Sequence, residues 1–261
     1  AGPKILILNS PNNPTGEIYS EREIEELAVV AKRNSLIVLS DDIYGRLSHT
    51  LSSTSFSEFY PEGTIVSDGL SKWAGAGGWR VGHFCIPERL RNIKDKMISV
   101  ASETFTSVSA PIQWAAISAY KKNASMKEYV SVSNRVLKKL SQNISDELSR
   151  GKISYQTMKG GFYTFLDFSE YYNELSSVGV RTSDSLAKAL LDNTGVAGLP
   201  GSCFGFSKDI LNMRFSYVNF DGSKVMRSIE SGRSVTSRFI DEHCPKTLGA
   251  FKKIVSWANS L

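Results

Sequence analysis

The chain opens on a short unbroken apolar run, Lys4-Ile5-Leu6-Ile7-Leu8, halted by Asn9-Ser10-Pro11. A run too short for a helix and closed by turn residues predicts a strand buried on both faces. Pro14 and Gly16 mark a turn. Ser20 and Glu23 then form a capping box ahead of Ile24, Leu27, Ala28 and Ala31 at helical spacing, so a helix is expected to about Asn34. Apolar runs at 36–39, 64–66 and 81–86, the last closed by Pro87, predict three further strands. Strand, helix and strand in succession argue for an α/β layer with a mostly parallel sheet.

Beyond Pro111 the pattern changes. Residues 112–120 read as a helix, and 126–149 carry Val130, Leu137, Leu140, Ile144 and Leu148 on one helical stripe, ended by Gly151. Strands are expected over 153–158, 162–168 and 213–218, with a helix over 183–193, which is an α+β arrangement. The change of character places a domain boundary near Asn123, giving domains 1–123 and 124–261.

Composition narrows the class. The 261 residues include 41% hydrophobic and 22% charged positions, which excludes a disordered chain. The net charge of +5 comes from scattered basic pairs such as Lys121/Lys122 and Lys252/Lys253, read as solvated helix faces, so no nucleic-acid partner is expected. Cys85, Cys203 and Cys244 are too far apart for a disulfide framework or a zinc knuckle, which fits a reducing compartment, and Cys203 reads as a small buried hydrophobe. His49, His83 and His243 never pair at metal-ligand spacing, so no metal site is expected. No apolar run approaches the roughly 18 residues of a membrane span, and the chain starts without a signal-type segment; a cytoplasmic location with no membrane partner is the expectation.

Candidate chemistry gathers at the strand ends, where open α/β sheets bind ligands. The first ends in Asn9-Ser10-Pro11-Asn12-Asn13-Pro14-Thr15-Gly16, the second in Asp41-Asp42-Ile43-Tyr44, and the third in Ser67-Asp68-Gly69-Leu70-Ser71-Lys72, followed by Gly75, Gly77, Gly78 and Arg80. Singly these are a turn, a helix cap and a solvated lysine. Together, Asn13, Asp41, Tyr44, Lys72, Arg80 and the late Arg214 of Asn212-Met213-Arg214-Phe215-Ser216-Tyr217 form an ordered set. That set resembles the class I/II aminotransferases of fold type I, enzymes that use pyridoxal 5'-phosphate and include aspartate and aromatic aminotransferases. The resemblance runs from residue 4 to about residue 235 and thins beyond.

The resemblance implies an α/β chain of the PLP-dependent transferase fold type I: part of a large domain with a mostly parallel sheet, plus an α+β C-terminal small domain. It implies transfer of an amino group between an amino acid and a 2-oxo acid, with pyridoxal 5'-phosphate as cofactor and a homodimer when full length. Lys72 corresponds to the lysine that holds the cofactor aldehyde and moves the substrate proton, a role that suits a partly desolvated amine. Asp41 corresponds to the carboxylate that keeps the cofactor ring nitrogen protonated. Asp42, its neighbour, is expected to point away, because strand side chains alternate. Tyr44 and Asn13 match the donors to the ring hydroxyl oxygen. Arg80 matches the phosphate-binding arginine, with Ser71 and Ser67 as further phosphate candidates, and Arg214, helped by Asn13, matches the arginine that grips the substrate carboxylate. Catalytic Lys72, Asp41 and Tyr44 are thus the central set.

Some features depart from the family pattern. Gly69 stands where a phosphate-binding serine is common. Family members carry well over a hundred residues before the Asn-Pro-Thr-Gly turn, and four of seven sheet strands are recognisable, so the sequence reads as a C-terminal portion whose sheet has exposed edges. Gly160-Gly161-Phe162-Tyr163 and Pro200-Gly201-Ser202-Cys203-Phe204-Gly205 resemble a strand entry and a tight turn of the small domain, and both read mainly as scaffold. No arginine lies between Arg91 and Arg135, where aspartate-specific members use a second one, which points to neutral or aromatic donors. Related lyases and synthases, a cofactor-sensing domain of a regulator, and an inactive fragment share these residues and remain alternatives.

Overall fold

The computed structural model describes residues 2, 4–50, 53–121 and 124–261. They form two compact units: residues 1–12 with 18–131, and residues 13–17 with 132–261. Asn123, the boundary expected from sequence, lies outside the described residues.

In the first unit, β1 (Ile5–Asn9) leads through α1 (Glu21–Arg33) to β2 (Ile37–Asp41), then to β3 (Thr64–Gly69) and β4 (Gly82–Cys85). The sheet order is β1-β2-β3-β4, with the first three strands parallel and β4 antiparallel to β3. Ser20 caps α1: its hydroxyl accepts from the Glu23 amide while the Glu23 carboxylate accepts from the Ser20 amide. The stripe Ile24, Ala28 and Ala31 is buried with Leu8, Val38, Phe56 and Tyr60. The opposite face of β1 corrects the sequence reading. Ile5 and Ile7 are 64% and 69% exposed, so the apolar run is covered on one side only among the described residues. Helices α2 (Arg91–Thr104) and α3 (Ala110–Tyr120) follow. No residue of α2 is buried, and Trp114 of α3 is exposed.

The 25-residue helix α4 (Ala124–Leu148) runs through the division between the units. In the second unit come β5 (Ser154–Tyr155), β6 (Tyr163–Asp167), α5 (Tyr172–Ser177), α6 (Ser183–Thr194), β7 (Leu199–Pro200) and β8 (Asn212–Ser216). Helices α7 (Gly222–Glu230), α8 (Ser237–His243) and α9 (Pro245–Ala258) close the chain. The strands form an antiparallel sheet in the order β5-β6-β8-β7. Thr164, Leu166, Met213 and Phe215 are buried on one face, with Phe215 edge-on to Phe251 of α9 at 6.2 Å between ring centroids. Leu140, Ile144 and Leu148 of α4 and Leu186 and Leu190 of α6 are fully buried, as their spacing requires. The strand expected over 153–158 shrinks to two residues.

Two glycines fix loop geometry in this unit. Gly16 has φ +78°, and its carbonyl accepts the amides of Lys159 and Gly160, each at 3.0 Å. A Cβ there would sit 2.9 Å from the Tyr163 carbonyl oxygen. Gly201 is tighter: a Cβ would lie 1.7 Å from Oδ1 of buried Asn212. Gly201→Ala is therefore expected to lower stability by about 1–3 kcal/mol through overpacking. Chemical denaturation checks this, and a wild-type midpoint would contradict the packing.

Candidate active site

In the first unit the parallel register sets Asn9, Asp41 and Ser67 side by side at the carboxyl ends of β1, β2 and β3. Asn9 Nδ2 donates to the Asp41 carbonyl at 2.9 Å and to its carboxylate Oδ2 at 3.3 Å, and the Ile43 amide donates to Oδ1 at 3.4 Å. Burial raises the Asp41 pKa above the ordinary carboxylate range, the Ile43 amide opposes the rise, and the negative charge of Asp42 adds to it. Asp42 takes a different partner: Ser40, two residues back, donates its hydroxyl at 2.6 Å. The Asp42 pKa is also raised by burial, against the bond from Ser40.

Tyr44 is buried at 4% exposure, three residues past the strand end. Lys72 Nζ lies 5.7 Å from the Tyr44 ring centroid. The lysine sits in the turn after β3, half-buried with its neighbour Ser71, and its carbonyl accepts the Gly75 amide, where Gly75 has φ +62°. Arg80 follows a short 3-10 turn, Gly77–Trp79, and holds φ +54°, a left-handed conformation unusual for a side chain of this size. Its guanidinium Nη1 donates to the Gly77 carbonyl at 2.9 Å, and the residue is exposed. Trp79 beside it is 52% exposed.

The second unit holds the other pair. Arg214 Nη1 donates to Asn13 Oδ1 at 2.8 Å. Arg214 Nε is buried with no hydrogen-bond partner among the described residues. In a fork whose five N–H groups all seek acceptors, an orphaned edge is a ready anion site. The guanidinium carbon lies 4.4 Å from the Tyr163 ring centroid and 5.0 Å from that of Phe204.

Residues 1–228, which contain all six of these positions, match the model of "Aminotransferase class I and II". The chain belongs to that family. It is 32% identical over 221 residues to an aspartate aminotransferase of Bacillus sp. (strain YM-2), covering 82% of this chain and 53% of the relative. It is 33% identical over 222 residues to an asparagine–oxo-acid transaminase of Streptococcus mutans, with the same coverage. The fold is that of a Thermus thermophilus aspartate aminotransferase double mutant, with a TM-score of 0.75 at 25% identity, over 96% of this chain and 56% of that one. The chain spans about half the length of the curated relatives it matches.

Several side features of this family member differ from the sequence reading or add to it. Cys203 is exposed, not buried, because the 3-10 turn Gly201–Phe204 turns it outward; Cys85 is also exposed. Cys244 is buried, and burial pushes its thiol pKa up to about 12, so it carries no reactive thiolate near neutral pH. Among the described residues no group of three or more His, Cys, Asp and Glu could hold a metal ion, and no helix is long and apolar enough to cross a membrane. Asn9 is the functional neighbour that sequence reasoning missed. An asparagine at a strand end is an ordinary turn residue, and only the β1–β2 register shows that it holds Asp41.

The buried Asp41 carboxylate has a testable cost. With its folded pKa raised, the charged form is penalised in the folded state, so this group's contribution to stability falls as pH rises from the unfolded value through the elevated folded one. Asp41→Asn removes that penalty and keeps an oxygen to accept from Asn9. The variant is expected to melt higher than the wild type at pH 7 in cofactor-free protein, with the difference vanishing at acid pH. Equal melting temperatures at both pH values would contradict the desolvation argument.

Proposed function

We propose that the protein to which this chain belongs moves an amino group between an amino acid and a 2-oxo acid, with pyridoxal 5'-phosphate as cofactor. The observation that supports this best is the family match over residues 1–228, because it runs unbroken through Asn13, Asp41, Tyr44, Lys72, Arg80 and Arg214. The residues suit the cofactor chemically. Asp41 is a carboxylate whose desolvation a cationic ring nitrogen would relieve, Lys72 is a half-buried amine beside a buried phenol, and Arg80 is a free-facing guanidinium on a glycine-rich turn.

When bound, pyridoxal phosphate supplies an aldehyde and a ring that draws electrons from the substrate α-carbon. Lys72 would hold that aldehyde through Nζ, and the same amine is placed to move a proton at the substrate α-carbon. Asp41, fixed by Asn9, would present a negative oxygen that favours a proton on the ring nitrogen. Tyr44 would donate a hydrogen bond from its phenol O–H to the ring oxygen, with Asn13 as a second donor. Arg80 and Ser71 hold the phosphate, with Ser67 a further candidate. Arg214, with Asn13 on Nη1, binds the substrate carboxylate through its remaining N–H groups. The piece of the cofactor-binding large domain is 1–123 and the small domain 124–261, and the assembled protein works as a cytoplasmic homodimer.

The donor is proposed to be neutral or aromatic, a reading supported by the lack of any arginine between Arg91 and Arg135. A panel of amino acids offered to the full-length protein with 2-oxoglutarate tests both levels. Transfer from phenylalanine or leucine well above that from aspartate is expected. Aspartate far ahead of all others would overturn the donor assignment, and loss of carbon dioxide or sulfide in place of 2-oxo acid formation would favour lyase chemistry.

A further inference from the structure

Arg214 has surroundings that its hydrogen bond to Asn13 does not by itself call for. On β8 it faces Phe165 of β6 directly across the ladder, and Tyr163 stands two residues from Phe165, so the three side chains share one face of the sheet. This is the face opposite Thr164, Leu166, Met213 and Phe215, all buried. Phe204 reaches Arg214 from the turn that follows β7 and is held in place by Phe165, edge-on at 5.7 Å between centroids. Phe206 in turn stacks on Phe165 at 5.2 Å. Tyr163 is braced by Phe162 at 4.8 Å. The guanidinium therefore meets two rings from different elements, at 4.4 and 5.0 Å, each fixed by a further ring.

We infer that Tyr163 and Phe204 are positioning residues that hold the Arg214 guanidinium plane at the angle needed for two-point capture of a carboxylate. The inference rests on the reading of Arg214 as the carboxylate-binding group. Rings attract a guanidinium through its face and leave its N–H edge free, whereas carboxylates would pull on that same edge. An aromatic clamp thus orients the cation without consuming the donors that the ligand needs. Asn13 takes one donor on Nη1, and the buried Nε stays unpartnered among the described residues. A long side chain held this way has less rotamer freedom left to lose when the anion arrives. An arginine with loose flanks would bind the same carboxylate more weakly and with less preference over a neutral group of the same shape.

The test uses full-length holoenzyme and two unreactive probes, 3-phenylpropanoate and its neutral amide, with affinities from calorimetry. Tyr163→Leu and Phe204→Leu are each expected to weaken the carboxylate about five- to tenfold, while the amide changes less than twofold. Tyr163→Phe, which keeps the ring, should bind as the wild type does. In an Arg214→Lys background the two leucine substitutions should add little, because an ammonium offers no plane to orient. Equal losses for carboxylate and amide, or undiminished losses in the Arg214→Lys background, would overturn the clamp. A clamp that fails while Arg214→Lys still loses the carboxylate leaves the role of Arg214 standing. An Arg214→Lys variant with unchanged carboxylate affinity would instead overturn the role of Arg214 itself.

Discussion

Lys72→Ala is expected to abolish transamination, with a fall in kcat of at least about 10³-fold, because the proposed role makes one amine both covalent holder and proton carrier. Lys72 sits half-buried in the turn after β3, with Nζ 5.7 Å from the ring centroid of buried Tyr44. No neighbouring amine is held by the same turn, since Ser71 and Trp73 flank it. Arginine at this position would keep the charge but never give up its proton, so Lys72→Arg should be as inactive as the alanine variant. Small amines added to the assay should restore part of the rate to Lys72→Ala and none to Lys72→Arg. A Lys72→Ala protein with a tenth of wild-type kcat would place the proton carrier elsewhere.

Asp41→Ala comes next in size. Loss of the carboxylate lets the ring nitrogen give up its proton, and the electron-withdrawing pull on the substrate α-carbon goes with it; a decrease of about 10²–10³-fold in kcat is expected. Asp42→Ala should cost less than about threefold, since its carboxylate is engaged by Ser40 and not by the Asn9 side. Asn9→Ala falls between the two, because Asp41 keeps the Ile43 amide but loses the amide side chain that orients it. Steady-state rates at saturating donor give all three. Matching losses at Asp41 and Asp42 would show that strand alternation does not separate their roles.

These differences trace what the sequence pattern carried and what it did not. The capping box at Ser20 and Glu23 and the stripe of Ile24, Ala28 and Ala31 are readable because the same residues that cap and bury α1 recur at fixed spacing. Helix α2 has no buried residue, so no core-facing stripe exists to be read, and α8 and α9 lie where the family resemblance thins. The exposed face of β1 is invisible in Lys4 to Leu8, since an unbroken apolar run looks the same whether one face or two are covered. Among the proposed functional residues, Lys72, Asp41 and Arg214 are legible from their order along the chain. Asn9, Tyr163 and Phe204 are not, because the partner each meets shows only once strand register, and for Phe204 the turn after β7, bring them together.

The identity of the modified lysine tests the central claim most directly. Full-length protein loaded with pyridoxal phosphate, reduced with borohydride and digested, is expected to carry the phosphopyridoxyl group on the peptide containing Ser71-Lys72-Trp73 and on no other. The label on any of the other lysines, or none at all with cofactor in excess, would contradict the account.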